Sequence, residues 1–283
     1  MTSMAQKLRD LITKGDHFVA AEAYSALTGR IVESVGFKAA YLGGHACSAF
    51  HYAMPDNGIF SQVEQLEQAQ RIADVMNIPL VADADTLGET VADAFHITRR
   101  YVRSGVAGFH IEDEVNPKHS KYVNGLCSIE DMQARIDAAS RARGGDPFVI
   151  IARCDEMYAT TMGGGGDASV EAAIKRGKAY AEAGADVIVY PLASPEHHAV
   201  IVPEIPVPVC TLGFDLPNTA FTLSTGWGWL GAAQLHLARC KELMATGSVT
   251  MDHVLPGKDQ LIEQDLYDGL IAEWAGKTGR AVR

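Results

Sequence analysis

The sequence predicts an α/β fold, a (β/α)8 barrel of the TIM type followed by a C-terminal helix that caps it or packs on a neighbouring subunit. Three observations lead there. Short apolar runs alternate with longer stretches of helical periodicity along most of the 283 residues, and strand–helix alternation builds a parallel sheet because parallel neighbours need a crossover between them. The length suits one such barrel, which takes roughly 250 residues. Acidic residues recur where the runs end, and in a barrel of parallel strands all those ends meet on the face that carries chemistry.

Residues 18–24 (FVAAEAY) read as the first strand and 39–44 (AAYLGG) as the second. Residues 79–85 (PLVADAD), 108–113 (GFHIED), 148–155 (FVIIARCD), 186–192 (DVIVYPL) and 208–214 (PVCTLGF) supply five more. The eighth, 223–231 (LSTGWGWLG), is Gly- and Trp-rich and is inferred from the need to close the barrel. Helical patterns lie between. In 61–77, Val63, Leu66, Ala69, Ile72, Ala73 and Met76 form an apolar stripe near the 3.6 period. Residues 89–104 and 128–143 behave similarly, and 169–183 stops at Gly184. The four glycines at 163–166 lack the spacing and lysine of a phosphate-binding loop and read as a mobile surface loop. A doubly wound open sheet is the alternative, but it often places a Gly-rich phosphate turn after its first strand, which AEAYSALTGR does not supply. Towards the C-terminus, Leu261, Ile262, Leu266, Leu270, Ile271 and Trp274 mark a helix that a closed barrel does not need. The chain thus reads as one domain over 1–283 with a helical extension at about 255–278, which caps the barrel or packs on a neighbouring subunit.

With 24 Lys and Arg against 35 Asp and Glu, the net charge of −11 argues against nucleic acid or an anionic membrane as the main partner. It leaves room for a small anionic substrate, because local positive charge outweighs a distant field. No stretch approaches the ~20 apolar residues of a membrane span, and MTSMAQKLRDLI has no apolar core of signal-peptide type. Five widely spaced cysteines without a CxxC pair suit reduced thiols. The expectation is a cytoplasmic enzyme.

Three acidic clusters carry the chemistry: Asp83 and Asp85 in VADADT, Glu112 and Asp113 in HIED, and Asp155 beside Arg153 in IARCD. Asp83 and Asp85 are two apart on a strand, so both side chains should point the same way, and two like charges on one buried face call for a cation between them. Magnesium suits such a site because it takes oxygen ligands and pairs with one or two carboxylates; Glu112 would be the third member. The alternative is that these acids cap helices in βα loops. Arg153 can salt-bridge to them or stabilise a developing enolate or carboxylate. Residues 115–126 (VNPKHSKYVNGL) read as a loop over the mouth, with Lys118, His119, Ser120, Lys121 and Tyr122 offering proton donors and charge. At the end of the second strand, Tyr41, Gly43 and Gly44 make either a plain tight turn or one whose backbone N–H groups approach an oxyanion. Asp56 could order water around the metal or simply make a turn.

In order and spacing, AAYLGG, PDNG, VADADT, GFHIED…PK, IARCD and EAGADVI resemble the isocitrate lyase and phosphoenolpyruvate mutase superfamily, from about Leu8 to Gly213. The resemblance implies a (β/α)8 barrel that often swaps its last helix between subunits, usually in tetramers. It also implies magnesium, with manganese as a substitute, and a 2-oxo-acid or 2-hydroxy-dicarboxylate substrate. By position, Asp83, Asp85 and Glu112 match the metal group, Asp56 an accessory acid, Arg153 the enolate-stabilising arginine, and Tyr41, Gly43 and Gly44 the carboxylate-binding turn. Two departures stand out. Lyases of this family carry a lid KKCGH or KRCGH whose Cys protonates the enolate; here Ser120 replaces Cys and Tyr122 replaces His. Pro191 sits near the place of a lyase Glu or a phosphonate-branch His. A magnesium-dependent carbon–carbon lyase is the leading expectation, with Lys118, His119, Ser120 or Tyr122 supplying the proton. A carbon–phosphorus enzyme acting on phosphonopyruvate and a non-catalytic dicarboxylate-binding barrel are the alternatives. A homodimer or homotetramer is expected.

Overall fold

The computed structural model describes residues 2–120, 125–161, 169–191, 193–251 and 254–278, the side chains of 159–161 excepted. It divides into two compact units, 1–233 and 234–283.

Eight parallel strands close a barrel in sequential order. They are β1 Phe18–Glu22, β2 Ala39–Leu42, β3 Leu80–Asp83, β4 Gly108–Glu112, β5 Val149–Arg153, β6 Val187–Val189, β7 Val209–Leu212 and β8 Phe221–Leu223, and β8 pairs back with β1. The helices of the first unit are α1 Met4–Lys14, α2 Ala26–Val35, α3 Gln62–Ala73, α4 Val91–Arg103, α5 Ile129–Arg143, α6 Glu156–Thr161, α7 Val170–Glu182 and α8 Pro195–Ile201, and α9 Trp227–Thr246 starts there. The second unit adds α10 Lys258–Leu261 and α11 Gln264–Thr278.

Local chemistry sets these boundaries. Ser61, Ser128 and Ser169 accept the N3 amide at the starts of α3, α5 and α7, satisfying donors that a helix N-terminus otherwise leaves open. In α3, Glu64 returns a carboxylate to the Ser61 amide, completing a capping box. Gly184 follows α7 in the left-handed region (φ 109°).

Strand alternation sorts the core into two layers. Ala20, Ala39, Tyr41, Val81, Val149, Ile151, Val187, Val189, Phe221 and Leu223 fill the barrel interior with Leu8 of α1. Ala40, Leu42, Leu80, Ala82, Phe109, Ile111, Ile150 and Ile188 face the surrounding helices. Continuing the inward face to the strand ends places Glu22, Tyr41, Asp83, Glu112 and Arg153 around one rim. The register agrees, with Glu22 opposite Tyr41 and Glu112 opposite Arg153.

Three sequence expectations need correction. The eighth strand is Phe221–Leu223, so 223–231 is mostly the turn and start of α9; Trp227 and Trp229 belong to a helix. Between β7 and β8 the chain makes no α-helix, so the barrel departs from strict strand–helix alternation there. Asp85 does not lie on β3, which ends at Asp83. It sits past the strand in left-handed backbone (φ 49°), with its amide donating to Asp83 Oδ1 at 2.8 Å. The two acids therefore meet through a turn, not through strand periodicity. The 163–166 glycines, Lys121 and Tyr122 lie outside the described residues. No described helix is long and apolar enough to cross a membrane.

Candidate active site

A cavity of about 510 Å3 opens at the carboxyl ends of the strands, with Tyr41, Gly43, Gly44, Asp56, Asp83, His119 and Arg153 in its wall together with His45, Tyr158, Leu212 and Thr225. Asp85, Glu112 and Lys118 are almost completely buried beside it, at 2%, 0% and 1% exposure. Most of the residues singled out from the sequence thus converge on one place. Ser120 follows His119 and is partly exposed.

Each acid is held differently. Asp83 Oδ2 accepts the Gly44 amide at 2.9 Å and stands 3.7 Å from His110 Nε2. Burial opposes its ionisation, but His110, Lys118 and Arg153 together keep its carboxyl below the usual range. The Gly44 N–H expected to face a substrate oxyanion is therefore engaged by Asp83. A side chain at Gly44 would place its Cβ 2.8 Å from Asp83 Oδ2, so glycine is required by close approach. Burial, reinforced by Asp83, Glu112 and Asp56, pushes Asp85 up to about 7 against the pull of Lys118. Glu112 stays below its ordinary value despite burial, because Arg153 and Lys118 both face it.

The cations are buried with the acids. Arg153 Nη1 lies 2.9 Å from Glu112 Oε2, while its Nε and Nη2 both donate to Asp155 Oδ1 at 3.0 and 2.8 Å. Its guanidinium lies 5.4 Å from the centroid of the Tyr158 ring. Lys118 Nζ is 2.8 Å from Glu112 Oε1 and 3.2 Å from Asp56 Oδ1 and also touches Asp85 Oδ1. His119 takes left-handed backbone (φ 55°); its Nδ1 bonds the Asp56 carbonyl at 2.8 Å, and Nε2 lies 3.0 Å from Glu114 Oε2. Burial would lower the His119 pKa, but Glu114 overrides it and raises it above the ordinary value.

Sequence reasoning missed four participants. His110 alternates with Glu112 on β4 and faces inward, so period-two reading of HIE could have found it. It bonds the Tyr41 hydroxyl at 2.8 Å, and burial lowers its pKa. Glu114 lies in the loop after β4 and Tyr158 on the short helix α6, both past the strands to which the alternation applies. Glu22, 2% exposed, accepts from the amides of Gly226 and Gly228 at 2.7 and 2.6 Å and from Thr225 Oγ1 at 3.1 Å. It fixes the turn that leads from β8 into α9. Asp113 turns away from the cavity to accept from Tyr180, Arg176 and the Asp155 amide.

The residues fit a divalent ion. Asp83, His110 and Glu112 bring ligand atoms within 4.8 Å of one another. Asp85 Oδ1 and both Glu112 carboxylate oxygens are buried in ion-pair contact with Lys118 and Arg153, with further acids close by. Buried carboxylates in that state are the donor set that a hard cation takes.

A closed parallel barrel gathers buried acids, an arginine and a histidine around one mouth, the face on which such barrels carry their chemistry. The family model of phosphoenolpyruvate phosphomutase matches residues 8–228, and the chain belongs to that family, within the phosphoenolpyruvate mutase and isocitrate lyase superfamily. A 2,3-dimethylmalate lyase from Eubacterium barkeri is 36% identical over 194 residues, spanning 68% of this chain and 64% of that protein. Oxaloacetate acetylhydrolase, solved with the inhibitor 3,3-difluorooxalacetate, superposes with a TM-score of 0.83 at 26% identity over 99% of both chains. Phosphonopyruvate hydrolase, solved with oxalate and magnesium, gives 0.79 at 26% identity over 96% of this chain and 98% of that one.

Proposed function

We propose that this protein is a magnesium-dependent carbon–carbon lyase, cleaving a 2-hydroxy dicarboxylate by a retro-aldol route or decarboxylating a related 2-oxo acid. The observation that carries the reading is the meeting of buried carboxylates, Arg153 and His119 at one cavity. Asp83, Asp85 and Glu112 would hold the ion, with Asp56 as the accessory acid; manganese could replace magnesium. When bound, the ion supplies electrophilic stabilisation of the enolate left by scission. Arg153, fixed by Glu112 and Asp155, adds positive charge that is already in place when negative charge develops. Tyr41 and Gly43 line the cavity and would orient the substrate carboxylate, while the Gly44 amide holds Asp83. His119 is the preferred proton donor: it lines the cavity, Glu114 favours its charged form, and one ring N–H would turn from Asp56 or Glu114 to the substrate. Ser120, Tyr122 and Lys118 are the other candidates.

A second reading is a carbon–phosphorus enzyme acting on phosphonopyruvate. It is favoured by Ser120 in the place of the lid cysteine and by the likeness to phosphonopyruvate hydrolase. A barrel that binds dicarboxylates without turnover is the third. A substrate panel separates them: release of pyruvate or glyoxylate from hydroxy acids supports the lyase, and phosphate from phosphonopyruvate the second reading. Magnesium-dependent oxalate binding without turnover of either supports the third. In the active case, Asp85→Ala should abolish metal-dependent turnover while circular dichroism stays unchanged; full turnover in that variant rules the metal mechanism out.

We also take residues 1–283 to work as one barrel domain with a helical extension, in a cytoplasmic homodimer or homotetramer. Exposed Leu266, Tyr267, Leu270, Ile271 and Trp274 on α11 support a subunit contact.

A further inference from the structure

Lys118 stands where a divalent cation would. Its ammonium is enclosed by acids from three separate segments: Asp56 after β2, Asp85 after β3 and Glu112 at the end of β4. All three contacts lie at ion-pair distance. A divalent ion favours the same oxygens and brings twice the charge of an ammonium. The cage cannot hold both cations, because two positive charges at contact inside a buried site repel strongly. It is also costly to leave empty, with three acids facing one another. Asp85, Glu112 and Lys118 are all buried, so an incoming ion meets these acids only when the lysine moves.

Resting on the metal reading above, we propose that Lys118 is the resident counter-ion of the metal-free protein and that a divalent ion binds by displacing it. Lys118 then sets the apparent metal affinity, which is the intrinsic affinity reduced by the fraction of molecules whose cage is open.

The test is Mn2+ binding to the full chain, followed by electron paramagnetic resonance of the free ion, for wild type, Lys118→Met and Asp85→Asn. Wild type should bind, Asp85→Asn should bind far more weakly, and Lys118→Met should bind ~10-fold or more tightly than wild type. Unchanged or weaker binding by a folded Lys118→Met overturns the exchange while leaving the metal reading in place. Absence of binding by both wild type and Lys118→Met overturns the two together. A second measurement needs no variant: reductive dimethylation of wild type, with Lys118 located by mass spectrometry. Lys118 should resist labelling without metal and label several-fold faster with saturating Mn2+ and no substrate. Labelling that is unchanged or slowed by Mn2+ overturns the exchange.

Discussion

Glu114→Gln should lower the pKa of His119, because it removes the carboxylate that favours the charged ring. The carboxylate of Glu114 lies 3.0 Å from His119 Nε2, and the two side chains are 7% and 17% exposed. Unit charges about 4 Å apart at an effective dielectric constant of about 20 interact by about 4 kcal/mol, which is an upper limit. Partial exposure and the neighbouring Lys118 charge screen the pair, which leaves on the order of 1 kcal/mol. The sign follows from the raised His119 value. The charged imidazole contributes stability below its unfolded pKa and loses it as pH rises through the folded one; replacing Glu114 moves that upper limit down. Histidine-selective NMR titration reads the ring directly and without substrate. With His119 as the acid, the alkaline limb of kcat/KM moves down by the same amount. A ring that titrates at one pH in both proteins refutes the pairing, and a moved ring with an unmoved limb refutes His119 as the donor.

Three further outcomes are expected. Gly44→Ala should weaken Mn2+ binding and cost about 1–3 kcal/mol of stability, since its Cβ would meet Asp83 Oδ2 at 2.8 Å; isothermal titration and denaturant unfolding check both. Glu22→Gln turns an amide group towards the backbone donors of Gly226 and Gly228 and should cost about 2–3 kcal/mol, read as a lower thermal midpoint. Ser120→Cys should raise any lyase side activity, because a thiol is a far stronger acid than a hydroxyl; an unchanged product profile removes Ser120 from the proton-transfer path.

The parts of this molecule governed by repeating local rules could be read from the sequence. Apolar runs gave the first seven strands to within a few residues at their ends, and the helical stretches read at 61–77, 128–143 and 169–183 begin at the serines that cap α3, α5 and α7. Glu112 and Arg153 were legible because strand ends in a parallel barrel share one face, and the structure pairs them in register. What escaped depends on turns and distant convergence. The β8 strand has only three residues, too few to outweigh the Gly- and Trp-rich stretch beside it. Asp85 reaches the site through left-handed backbone, which an alternation rule cannot anticipate. Lys118 reads in sequence as one basic residue of a polar loop; only the fold shows acids from three segments enclosing it.

The most direct measurement is anomalous diffraction at the manganese edge from crystals soaked in Mn2+ and oxalate. The account predicts one strong peak in the acid cage, about 2.0–2.6 Å from carboxylate oxygens or their bridging waters, with the Lys118 ammonium moved away from Asp85. Crystals at saturating Mn2+ with Lys118 still seated between Asp85 and Glu112, and no peak between those acids, would contradict it.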